Sequence, residues 1–324
     1  MNLRLVLFEW AARQGLGAAA SRRVQDLAAF GAEPDRLRPG LARGVAVLAA
    51  ALAGFALVMW VAANWATFGR FGRFALLQGA LAVLGVGAWA WPAARAALGL
   101  AALFAIGALF ALFGQTYQTG ADPWQLFALW ALLALPLCLG VRSDVTWTPW
   151  VVVAMAAISL WAATHTGLRV WRGLDGTATT VHLAAWAMSL LLVLLTGPAW
   201  RGHTGAGPWA LRSAITLAAF GIGLSALVGL FGDAVDPLYP LGLLLAGSAV
   251  WGLSRRAAFD VYALSAVVLA FDTLLVCGLG RLLFHDGDAE PISASLLISV
   301  AAAGLLGVSV RWVMRVHRRH GVRP

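Results

Sequence analysis

Ten mostly apolar stretches, each about 20 residues long, fill the chain from Gly44 to Trp312, separated by short polar or glycine–proline breaks. One such stretch could be a core helix. Ten in series cannot all hide inside one water-soluble core, because 61% of the residues are hydrophobic and 11% are charged. Lipid is the expected solvent, and lipid admits only structures that pair every backbone N–H and C=O internally. The expected fold is all-α: a polytopic transmembrane helix bundle of about ten spans. These are placed at 44–63, 74–91, 96–113, 124–141, 149–165, 180–196, 212–231, 238–253, 261–280 and 292–312. They divide the chain into an N-terminal amphipathic helical segment (1–43), the bundle (44–312) and a basic tail (313–324). No stretch outside the spans is long enough for a large soluble enzyme domain.

The formal charge is +9, and all 23 Lys+Arg residues are arginine. With the N-terminus placed in the cytoplasm, 18 arginines fall on inner segments and 5 (Arg70, Arg73, Arg169, Arg172 and Arg281) on outer ones. The positive-inside rule gives that asymmetry for an even number of spans with both termini inside. The expected location is the bacterial inner membrane. Charge at span ends is explained by topology, so no nucleic-acid partner is expected. Trp60, Trp65, Trp89, Trp91, Trp124, Trp147, Trp200, Trp209, Trp251 and Trp312 lie near span ends, where indoles favour the headgroup region. Leu5–Phe8 is too short for a secretory signal and is interrupted by Glu9.

In the N-terminal segment, Leu3, Val6, Leu7 and Trp10 recur at helical spacing, and Leu16, Ala20, Val24 and Leu27 restart the pattern after Gly15 and Gly17. Two short amphipathic helices follow from this spacing. They would lie on the cytoplasmic surface or at the headgroups, or would dock a protein partner through residues 1–43.

Two stretches carry a family resemblance. One is Val61-Ala62-Ala63-Asn64-Trp65. The other is Phe113-Gly114-Gln115-Thr116-Tyr117-Gln118-Thr119-Gly120-Ala121-Asp122, followed by Trp124, Leu126, Phe127, Trp130 and Pro136. With the N-terminal helical segment, they resemble a bacterial family of predicted polytopic membrane proteins known as domain of unknown function 2157. The resemblance is best over roughly the first 150 residues and implies no activity. Its hallmark positions here are Asn64, Trp65, Gln115, Tyr117 and Gln118.

The residues that could carry chemistry are few. Asp272 sits near the middle of the ninth span, where a carboxylate is costly. It is either a proton, cation or substrate contact, or an acid hydrogen-bonded to a neighbouring helix. Gln115, Thr116, Tyr117, Gln118 and Thr119 form a dense hydrogen-bonding set on the expected outer face. They suit a ligand, or equally an interfacial anchor that satisfies loose helix-end carbonyls. Asp122-Pro123, Asp236-Pro237 and Glu290-Pro291 each place an acid before a proline at a span start. Helix capping accounts for this pattern, and an outward acidic mouth for cations, from Asp122, Asp233, Asp236, Asp286, Asp288 and Glu290, is the alternative. Asn64, Trp65, Arg70 and Arg73 follow the first span, where the arginines could hold phosphate headgroups or snorkel. Substrate or ion contact is accordingly assigned to Asp272, Gln115, Tyr117, Gln118, Asp122 and Asn64, and headgroup or anion contact to Arg70, Arg73 and Trp65. His165, His182 and His285 lack ligand spacing, and Cys138 and Cys277 lie within spans. No metal, no cofactor and no catalytic residue is expected. Glycine pairs such as Gly85/Gly87 and Gly221/Gly223, and steps such as Ala50/Gly54 and Gly107/Ala111, are read as close helix packing.

Two functions fit. One is transport of a small solute or lipid-linked molecule, supported by ten spans and an intramembrane acid. The alternative is a non-transporting scaffold, assembly or sensing partner that works through the N-terminal helices. An enzyme ranks behind both, since no convergent acid, base or metal set can be named.

Overall fold

The computed structural model describes residues 3–27, 37–64, 67, 69–117, 120, 122–167, 176–232, 234–255, 258–285 and 291–321. Regular structure among them is helical: α1 (Leu3–Arg13), α2 (Ala18–Leu27), α3 (Leu37–Ala63), α4 (Arg70–Ala90), α5 (Arg95–Tyr117), α6 (Pro123–Val141), α7 (Asp144–Thr166), α8 (Gly176–Thr196), α9 (Arg201–Thr204), α10 (Pro208–Leu230), α11 (Leu238–Leu253), α12 (Val261–His285) and α13 (Pro291–Gly321). Nine helices among the described residues are long and apolar enough to cross a membrane, and α11, with 16 residues, is a shorter apolar helix. Each apolar stretch of the sequence falls on one of these ten. The chain divides into two compact units, Met1–Ala49 and Ala50–Pro324.

In the first unit, α1 and α2 are separated by a turn at Gly15, whose φ of +61° suits a residue without Cβ. The Leu16 N–H returns to the Ala11 carbonyl at 3.1 Å and closes the end of α1. Charge segregation is pronounced in α2, where Arg22 and Arg23 are exposed, and slight in α1, where Arg4 lies on the side away from Glu9 and Arg13. The expectation of two amphipathic helices therefore describes α2 better than α1.

Helix ends differ from the hydropathy estimate for local reasons. Helix α3 begins at Leu37 rather than Gly44, because Pro39 is accommodated in a first helical turn. Helix α7 begins at Asp144 rather than at 149, because the Ser143 hydroxyl accepts the Val145 N–H at 3.3 Å and starts the helix early. The basic segment expected as a tail from 313 continues α13 to Gly321, with Arg318, Arg319 and His320 in the last turn, where the helix dipole favours cations.

In the second unit, consecutive helices pack on each other from α4 to α9 and from α10 to α13, and α10 is the hub, packed against α7, α8, α11 and α12. Tryptophan knits the interior. Trp150 donates to the Ala131 carbonyl at 2.8 Å, Trp130 to Leu103 at 3.0 Å, and Trp186 to the Ser225 hydroxyl at 2.7 Å. Each indole thereby fills space while its N–H is satisfied, as burial in a dry bundle requires. Trp130 lies so close to α5 at Gly107 that a Cβ there would meet its ring. A Cβ at Gly54 would similarly lie 3.3 Å from the Phe104 ring. The reading of close packing holds at those glycines. At Gly85, Gly221 and Gly223 it does not, because a Cβ there would meet nothing within 4 Å.

Interface tryptophans are mixed. Trp89, Trp91, Trp200, Trp209 and Trp251 are exposed at helix ends as expected. Trp147 is instead 2% exposed, edge-on to Trp150, and donates to the Thr204 carbonyl at 2.8 Å. It belongs to the joint between the α6–α7 turn and α9–α10. There Arg142, in the left-handed region at φ 54°, donates to the Gly202 carbonyl. Asp144 accepts the N–H groups of Gly207, Trp209 and Ala210 at 3.1, 2.8 and 2.9 Å and so caps α10 from outside that helix.

Candidate functional site

Leu264, Val268 and Asp272 recur every fourth residue and share one face of α12. Leu264 and Val268 pack with Val313 and Val316 of α13, an apolar seam between two antiparallel helices. Asp272 continues the seam toward the middle of the span. There Ser309 of α13 donates its hydroxyl to Asp272 Oδ1 at 3.1 Å. Asp272 is 7% exposed, and its Oδ2 is buried with no hydrogen-bond partner. Half of the carboxyl group is thus matched and half is open, an arrangement that costs free energy in a dry interior. Sequence reasoning missed Ser309. A serine in an apolar helix is usually silent, because its hydroxyl can return to its own backbone.

The other candidate residues lie elsewhere. Tyr117, at the end of α5, sets its ring 4.9 Å from Phe113 and 6.0 Å from Phe74 of α4. Gln115, two residues earlier, is exposed. Asn64, at the end of α3, donates its side-chain amide to the Trp60 carbonyl at 2.9 Å, and its own carbonyl accepts the Thr67 hydroxyl at 2.8 Å. Both are helix-end contacts of the interfacial kind. Arg73 is half-buried in the first turn of α4. Arg70 starts that helix, though its side chain is outside the described residues, as are Trp65 and Gln118. Tyr117 and Phe74 tie the end of α5 to the start of α4. Asp272 belongs to a different neighbourhood, since α12 packs on α10, α11 and α13, whereas α5 packs on α4, α6 and α7.

The acid–proline pattern resolves into two behaviours. Asp236 caps its helix: Oδ1 accepts the Leu238 N–H at 2.8 Å, and Oδ2 accepts the Thr179 hydroxyl at 2.9 Å. Asp122 precedes Pro123 of α6 without a side-chain cap, and its backbone carbonyl takes the Gln125 N–H at 3.0 Å. Of the acids expected to form a mouth, Asp233, Asp286, Asp288 and Glu290 lie outside the described residues.

A second polar element escaped the sequence reading. Arg212 of α10 and Asp260, just before α12, form an ion pair at 2.8 Å, with the Arg212 guanidinium 5.0 Å from the Trp209 ring. Burial pushes the Asp260 carboxyl up, but the Arg212 hydrogen bonds and charge, with the Ala263 and Tyr262 N–H groups, hold it below its ordinary value. This pair joins two helix starts and is structural.

Residues 8–147 match the family described as Predicted membrane protein (DUF2157), the family that the Asn64–Trp65 and Gln115–Gln118 stretches resemble. That match takes in Asn64, Tyr117 and Asp122 and ends well before Asp272. No curated protein and no solved structure matches the chain.

Proposed function

We propose that this chain is a transporter of the bacterial inner membrane, moving a small solute or lipid-linked molecule, with Asp272 as its ion or substrate contact. The observation that carries the reading is the unmatched Oδ2 of Asp272, buried near the middle of a membrane-spanning helix. Membrane-embedded carboxyl groups are costly and persist where they do something. A proton, a cation or a substrate donor would complete the coordination that Ser309 supplies to Oδ1 alone. Asn64, Gln115, Tyr117, Gln118 and Asp122 would serve as substrate contacts nearer the surface, with Arg70, Arg73 and Trp65 at the headgroups. Both termini face the cytoplasm, a placement supported by the 18-to-5 distribution of arginine.

Proteoliposomes carrying the full chain test this with a panel of labelled small solutes and an imposed proton or sodium gradient. Asp272→Asn should lose gradient-driven uptake by about tenfold or more, the loss of roughly 1.4 kcal/mol of interaction, while Glu9→Gln, at an exposed position of α1, retains most of it. Unimpaired uptake in Asp272→Asn would remove the proposal. The charged face of α2 favours a second reading, in which the N-terminal helices dock a protein partner and the bundle serves as anchor. On that reading, deleting residues 2–38 releases a co-purifying protein without preventing insertion, and Asp272→Asn has no effect on the pull-down.

A further inference from the structure

A half-open cleft of about 170 Å³ lies between α8, α10, α11 and α12. Its walls are apolar throughout. Small residues carve it: Ala218, Ala219 and Gly223 from α10, Ala246 and Ala249 from α11, and Ala270 from α12. A Cβ added at Gly223 would meet nothing within 4 Å, so the space beside α10 is open there. The cleft runs from Leu274, near the middle of α12, to Leu253, the last residue of α11. An apolar void of this kind excludes water, and one of about 150 Å³ holds a benzene molecule. Within a bilayer, the material at hand to fill it is a hydrocarbon chain, of which about six carbons fit by the same measure.

The Leu253 end has a charge. Arg255, two residues further on, is exposed, with its guanidinium 3.5 Å over the Trp251 ring. His320 of α13 meets the Ser254 carbonyl at 3.1 Å, which brings the α13 end that carries Arg315, Arg318 and Arg319 to the same rim. The acid described nearby, Asp260, is already taken by Arg212. An apolar slot thus ends beside a stretch of net positive charge, the complement of an acyl chain joined to an anionic headgroup.

We propose that this cleft is a binding site for an anionic phospholipid of the surrounding bilayer, with one acyl chain between α8, α10, α11 and α12 and the phosphate at the Arg255 rim. The site is separate from Asp272 and does not rest on the transport reading. The test uses the full chain in nanodiscs doped with phosphatidylglycerol or phosphatidylcholine, each bearing a photoactivatable group in one acyl chain. Labelled peptides are then read by mass spectrometry. Phosphatidylglycerol should label the α8 and α12 walls about fivefold more than phosphatidylcholine, the preference expected of one arginine for a headgroup of net negative charge over a zwitterionic one. Gly223→Leu, which fills the cleft, should lose that labelling. Gly221→Leu should keep it, because its Cβ also meets nothing within 4 Å while Gly221 does not line the cleft. Equal labelling by the two lipids, persistence in Gly223→Leu, or an equal loss in Gly221→Leu would each overturn the proposal.

Discussion

Replacing Asp272 by leucine should make the folded bundle more stable while destroying the uptake proposed for it. In the native bundle Oδ2 is buried and unmatched, which costs about 1–3 kcal/mol for a polar atom. The Ser309 hydroxyl offsets little of this, since polar contacts between membrane helices average about 0.6 kcal/mol. Leucine has the same heavy-atom branching as aspartate in a somewhat larger volume, continues the Leu264–Val268 face against Val313 and Val316, and leaves Ser309 free to bond a carbonyl one turn back. The balance is a stabilisation of about 1–2 kcal/mol, alongside loss of gradient-driven uptake. Reversible unfolding by SDS in mixed micelles, followed by fluorescence of the 16 tryptophans, measures the first quantity. Proteoliposome uptake measures the second. A variant less stable than the parent by more than about 1 kcal/mol would show that the carboxyl group holds α12 to α13, and the functional reasoning would fail with it.

Two further outcomes follow from the polar joints. Asp144→Ala strips three backbone N–H groups at the start of α10 of their acceptor and should destabilise the bundle by about 2 kcal/mol in the same unfolding assay. A change within about 0.5 kcal/mol would mean that water replaces the cap without loss. The Arg212–Asp260 pair predicts a pH effect of definite sign. The Asp260 carboxyl is held low in the folded chain, so its contribution is complete above the unfolded value, near pH ~3.9. That contribution disappears as pH falls through the lower folded value. Stability should drop on acidification below about pH 4, and that component should be absent from Asp260→Asn. An identical acid profile in the two proteins would refute it.

The membrane-spanning architecture could be read from sequence because lipid enforces it: a long apolar run has no alternative to a helix there. The position of Asp272 was legible for the same reason, as an acid in the middle of such a run stands out. What lipid does not enforce was harder to see. Ser309 and the Asp144 cap depend on which helices become neighbours, and hydropathy holds no information about neighbours. Trp147 was misplaced at the headgroups because indoles near span ends usually lie there, whereas this one turns inward to the Thr204 carbonyl. Gly221 and Gly223 read like a packing motif, yet they face open space, since spacing alone does not reveal whether a partner helix is present.

The cap on α10 bears on how the chain is made. Asp144 leaves the ribosome 63 residues ahead of Gly207, the first of the amides it receives. The acceptor is therefore made before any of the amides it receives. Until then the turn rests on the earlier helices alone, with Gly99 of α5 close against Thr146 and the Cys138 thiol donating to the Thr146 carbonyl at 3.7 Å.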